Sequence, residues 1–199
     1  METEKNLTQQ ESIEVISRMI RTAQNDIQDG SFYYLVWGWL VFIASAAHFV
    51  LLKAAYELNF LPWVILMPLG GIVTGIYSYR HERKKKVHTY IDEVMKYVII
   101  SFLVSLFIVL LFMSKLGLAT YPMVMIIYGI WLFISGGALK FQPLIFGGII
   151  NWALGITAFF FEFETQLLLL GTAVLLGYII PGHMLKSKYR SQQTQTATA

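Results

Sequence analysis

The chain of 199 residues is 56% hydrophobic and 14% charged, and its apolar residues are gathered in long blocks; this composition belongs to a membrane protein and excludes an ordinary soluble core. There is no cysteine, which excludes disulfides, thiolate metal sites and thiol catalysis. The formal net charge of +3 does not point to nucleic acid, because the basic residues flank apolar blocks and have a topological role first.

The first stretch, METEKNLTQQESIEVISRMIRTAQNDIQDGS, is too polar to cross a bilayer and lacks the basic start and apolar run of a signal peptide, so the first span is expected to act as its own insertion signal. Within it Ile13, Ile16, Ile20, Ala23 and Ile27 recur at helical spacing, with Glu14, Arg18, Arg21 and Gln24 on other faces. That pattern predicts an amphipathic helix. Asp29-Gly30-Ser31 is the expected end, where glycine permits a turn into the membrane.

A spanning helix needs about 20 apolar residues for a hydrocarbon layer of about 30 Å. Six stretches meet that need: Phe32 to Leu52, Leu61 to Tyr79, Tyr97 to Ser114, Tyr121 to Leu139, Pro143 to Phe161 and Leu167 to Leu185. Only KFQ separates the fourth from the fifth, and EFETQ the fifth from the sixth, so both pairs are expected to form tight hairpins. Barrel strands would alternate over about 10 residues, and these blocks do not. The expected fold is therefore all-α, a polytopic membrane protein built as a six-transmembrane-helix bundle. Its expected parts are an amphipathic cytoplasmic helix over 1–31, the bundle over 32–185 and a disordered cytoplasmic tail over 186–199.

With the N-terminus cytoplasmic, Lys53 and Lys115 are the only Arg or Lys in external segments, and all others fall inside. The positive-inside rule then predicts both termini in the cytoplasm. The loop RHERKKKVHTYIDEVMK, with its Arg80 to Lys86 cluster, serves first as a topological anchor and second as a candidate contact for anionic lipid. No folded reader or stacking platform for nucleic acid is visible.

Chemistry is sparse along the spans. Every Asp and Glu lies outside them, which leaves no buried acid and base pair. His81 and His88 lie in the basic loop, while His48 and His183 fall near opposite membrane faces. No HExxH or GxSxG motif is present, and no cofactor is implied. The residues left as a candidate solute route or helix-packing site are Gly70, Gly71 and Thr74 in the second span, Gly147, Gly148 and Asn151 in the fifth, and His48 in the first. Asn151 stands out because an unpaired amide is costly in hydrocarbon. Gly71 and Gly75 form a GxxxG pair, and Gly147, Asn151 and Gly155 recur every four residues.

WGWLVFIASAA at Trp37 echoes YGIWLFISGGA at Tyr128, as an inverted repeat would. The distance from Gly38 to Gly70 far exceeds that from Gly129 to Gly147, so no single offset aligns both features, and the echo is read as apolar similarity.

The stretches QDGSFYYLVWGWLVFIASAAHF, LKFQPLIFGGIINW and LLGYIIPGHMLK together resemble a family of uncharacterised multi-span inner-membrane proteins of Bacteroidota-type bacteria. The resemblance implies a bacterial cytoplasmic membrane and a six-helix bundle, and carries no activity or binding residue. The leading functional expectation is a non-enzymatic membrane interaction or sensory module, with the lipid bilayer and either a second copy or a cytoplasmic protein as partners. A small transporter of a neutral or amphipathic solute is the alternative, and a membrane-embedded enzyme stands third.

Overall fold

The computed structural model describes the backbone over residues 9–82 and 90–197, and side chains over 30–80, 93–188, 190 and 191. The described chain is all-helical. It runs as α1 (Gln9–Lys53), α2 (Leu61–Glu82), α3 (Tyr90–Leu111), a short α4 (Met113–Leu116), a 3-10 turn (Gly117–Ala119), α5 (Thr120–Ala138), α6 (Gln142–Ala158), α7 (Phe163–Val174), a π-helical segment (Leu175–Ile179) and α8 (Ile180–Ala197).

Among the described residues, five apolar stretches are long enough to cross a membrane: Gly30–Lys53, Leu61–Arg80, Glu93–Leu111, Met113–Ala138 and Phe163–Lys188. Where Pro143 to Phe161 is expected as the fifth span, the helix runs Gln142–Ala158, apolar but of 17 residues. At 1.5 Å per residue it covers about 25 Å, somewhat short of the hydrocarbon thickness.

Two expectations are corrected. The helix does not end at Asp29-Gly30-Ser31: α1 is continuous from Gln9 to Lys53, and Gly30 takes no positive φ. Nor is the segment after 185 irregular, since α8 continues through the polar residues to Ala197. In both places an uninterrupted run of helical hydrogen bonds outweighs the local preference for a break, because propagating a helix costs far less than starting one. The apolar stripe from Ile13 to Ile27, His81, His88 and the Arg83 to Lys86 cluster lie outside the residues whose side chains are described.

A core of α1, α5, α6 and the α7–π–α8 rod carries most of the packing. In contrast, α2 leans on α1, and α3 on α5. Buried Tyr34, Val41, Met125, Leu132, Leu144, Leu170, Val174 and Tyr178 fill the centre. Outward faces of α2 and α3 stay apolar, with Val64, Ile65, Ile72, Ile76, Leu103, Val104, Phe107 and Leu111 exposed. Apolar faces of this extent are stable against lipid and not against water.

The turns differ in kind. Gly117 adopts φ +52, a left-handed conformation that glycine takes without a Cβ penalty, and redirects the chain between α4 and α5. The α5–α6 turn places Lys140 at φ +49, with its N–H donating to Gly137 O at 3.1 Å and the Phe141 N–H donating to Gly136 O at 2.9 Å. Glycine is the usual residue in such a helix stop.

Candidate functional site

The polar centre of the bundle is built where α6 meets the π segment. Pro181 has no N–H, so Gly177 O lacks its usual donor four residues on, and the helix widens to i→i+5 just before it, with the Ile180 N–H donating to Leu175 O. Glycines make the contact close: a methyl group on Gly147 would lie 2.7 Å from Gly177 O and 2.8 Å from Gly177 Cα.

Asn151, one turn after Gly147, is 0% exposed. Its Nδ2 donates to Gly147 O at 2.9 Å and to Ala173 O on α7 at 3.2 Å. Oδ1 has no hydrogen-bond donor, and neither does the buried Tyr178 Oη one residue beyond Gly177. Tyr178 sits among Tyr34 of α1 and Tyr128 of α5, with ring centroids 6.1 and 5.4 Å away.

The neighbouring face of α6 locks onto α5. A methyl on Gly148 would come within 2.8 Å of Gly129 O, and one on Gly129 would overlap the Trp152 indole. Trp152 Nε1 donates to Ile126 O at 3.1 Å. Gly155 also faces α5, near Met125 and Pro122. The four-residue series therefore divides: Gly147 and Asn151 turn to the π segment, whereas Gly155 turns to α5. A helix has 3.6 residues per turn, so positions eight apart drift round its surface by roughly 80°.

The candidates on α2 lie elsewhere. Gly70 is buried against α1, where a methyl would meet Leu40 Cδ1 at 2.6 Å, and Thr74 Oγ1 donates to Gly70 O at 2.7 Å within its own helix. Gly71 and Gly75 face open space, so the GxxxG pair joins no other helix among the described residues. Because α2 packs on α1 and α6 packs on α5, α7 and the π segment, the two glycine-rich segments do not converge on one route.

His48 belongs to a third place, about 8 Å before the end of α1. It is 4% exposed. Trp63 Nε1 donates to its Nδ1 at 2.9 Å, and its Nε2 lies 3.1 Å from Asn59 Oδ1. An indole N–H can only donate, so Nδ1 must accept and the ring proton sits on Nε2, pointed at Asn59. The imidazole thus ties the start of α2 to α1 and also meets Phe163 of α7 edge to face at 5.4 Å. His183 is exposed. At the same end as His48, Lys53 pairs with Glu164 and so joins α1 to α7. No group of three His, Asp or Glu side chains that could hold a metal occurs among the described residues.

Gly38 and Gly129, equivalent in the sequence echo, have non-equivalent partners: Gly38 touches Tyr178 and Ile179, while Gly129 touches Trp152. Sequence reasoning passed over Gly177, Trp63 and Asn59. The four-residue step from Gly177 to Pro181 was the available signal for the first; the others had none, since each becomes polar structure only through its partner. The chain matches no protein-family model, no curated protein and no solved structure.

Proposed function

We propose that this chain is a non-enzymatic membrane interaction or sensory module of the bacterial cytoplasmic membrane. It crosses six times with both termini in the cytoplasm, the shorter α6 being extended at its end by exposed Phe159 to Phe161. One observation carries the reading: α1 is a single helix from Gln9 to Lys53, joining the polar N-terminal segment to the centre of the bundle, where Gly38 lies against Tyr178 and Ile179. A tilt or rotation of the span is then carried rigidly into the cytoplasmic segment, about 1.5 Å of lever per residue. Insertion of two glycines between Asp29 and Gly30 breaks that lever. It is expected to abolish partner capture or oligomerisation through residues 1–29 while leaving insertion intact, and unchanged capture would count against the reading.

The transport alternative draws on one observation, the buried Asn151 Oδ1 and Tyr178 Oη without donors. A solute there would have to part α6 from the π segment. Asn151→Leu in a folded protein with unchanged solute flux removes this residue from any route.

A further inference from the structure

Helix α2 is pinned to α1 at both of its ends. Toward the C-terminal end of α2, Phe32 stacks on Tyr77 at 4.0 Å and Tyr33 Oη lies 2.7 Å from Ser78 Oγ. At the N-terminal end the pin is His48, whose Nδ1 accepts the Trp63 indole proton while Nε2–H faces Asn59 Oδ1. Two further helices meet at this joint: Trp63 packs on Tyr121 of α5 at 6.1 Å, Tyr121 on Phe163 of α7 at 5.4 Å, and Phe163 on His48 itself.

The two pins differ in chemistry. Tyr and Ser hydroxyls can each donate or accept, so the bond at Ser78 can be remade with its roles exchanged. An indole N–H can only donate, and Nδ1 accepts only while it carries no proton. The Nδ1 lone pair is also the one place where the neutral ring can take a proton, and Trp63 occupies it. An imidazolium would set two N–H donors against each other across 2.9 Å. Its bond to Asn59 Oδ1 would survive, because Nε2 donates in both states. A proton therefore cuts the link to α2 and spares the link to the chain just before it.

The titratable groups around the ring are Lys53 on α1, Glu57 in the connection to α2, Tyr121 on α5, and Glu162 and Glu164 at the start of α7, with Lys115 on α4 at the same end. Lys53 and Glu164 pair with each other. Both ring nitrogens are taken up by Trp63 and Asn59, so no carboxylate holds the imidazole. The chain is exposed from Lys53 to Leu58, which puts the joint at the edge of the bundle nearest the aqueous boundary.

From this we infer that His48 is a proton-operated latch: neutral, it ties α2 to α1, and on taking a proton at Nδ1 it frees the N-terminal end of α2 to pivot about Tyr77 and Ser78. A proton binds Nδ1 only where the Trp63 bond is broken, so acid favours the released form by linkage. The latch is closed above the usual histidine range, about pH 6.5, and opens as the pH falls below it. The pivot rests on Phe32 and Tyr33, beside Gly30, so opening acts on the same continuous helix that runs on to Gln9. The inference builds on the sensory reading above and names its stimulus, acidity on the side of the membrane opposite the N-terminus.

The chain has no cysteine, so two introduced cysteines can carry nitroxides in the full protein in phospholipid nanodiscs. Electron double resonance then reads their separation from about pH 8 to about pH 4.5, on both sides of the histidine range. Exposed Val64 and Phe160 report the end where α2 begins, and exposed Ile76 and Met184 the other. On acidification the first distance is expected to lengthen by at least about 2 Å, the scale of a helix shift, and the second to stay. His48→Phe and Trp63→Phe should show the long distance at every pH, and Glu164→Gln should keep the response. The proposal is overturned by a first distance that does not change with pH, by a response or a short distance retained in His48→Phe, by a response lost in Glu164→Gln, or by an equal change between Ile76 and Met184. The first of these needs no latch variant to fold. The distance also needs no partner: a working latch without capture through residues 1–29 removes the module reading alone, and capture with a distance indifferent to pH removes the latch alone.

Discussion

Gly177 and Asn151 are in direct apposition: a methyl group on Gly177 would overlap the Asn151 amide nitrogen and would lie 3.1 Å from Gly147 O. The nitrogen is itself fixed by its bonds to Gly147 O and Ala173 O, and the oxygen is backbone, so neither can retreat cheaply. Gly177→Ala is therefore expected to destabilise the bundle. Overpacking of about 1–3 kcal/mol outweighs the gain of about 1 kcal/mol from better helix propensity. Gly71→Ala and Gly75→Ala, which meet nothing within 4 Å, should be neutral or stabilising by up to about 1 kcal/mol. Steric-trapping unfolding in bicelles measures all three; a GxxxG pair essential within the chain would reverse the ranking.

His48 and Trp63 should behave as one unit. His48→Phe keeps an aromatic against Phe163 but loses both ring hydrogen bonds, and Trp63→Phe loses the donor to Nδ1. A double-mutant cycle is expected to give a coupling of about 0.5–1.5 kcal/mol. Hydrogen exchange of the amides from Asn59 to Trp63 should quicken in both single variants and no further in the double. Additive effects would mean that the imidazole does not hold α2.

Gly30 separates a continuous helix from a hinge. It sits within α1 with no neighbour inside 4 Å of an added methyl. Gly30→Ala is expected to stabilise the helix by roughly 0.5–1 kcal/mol, seen as higher helical ellipticity and slower amide exchange around residues 26–34. A loss of stability would restore the turn that the Asp-Gly-Ser sequence suggested.

Lys53 and Glu164 have side chains 56% and 45% exposed, so their ion pair is screened by water and salt. Lys53→Gln or Glu164→Gln should cost at most about 1 kcal/mol, and the difference should vanish at high ionic strength. Thermal melts at low and high salt distinguish this from a lock between α1 and α7.

The helical class and the places of the apolar stretches follow from sequence alone, because each depends on local quantities: runs of apolar side chains and their length against a bilayer. Asn151 could be singled out for the same reason, as a lone amide in hydrocarbon needs a partner wherever it lies. Which partner it has, and which glycines approach another backbone, depended on the tertiary structure. Gly147, Gly148, Gly70 and Gly71 look alike along the chain, yet the first three meet other helices and the fourth faces outward. Nothing local tells α2 to lean on α1, or sets Asn151 opposite the π turn that Pro181 opens. Those choices come from how the helices share a limited set of faces, and a backbone contact between glycines has no side chain to announce it.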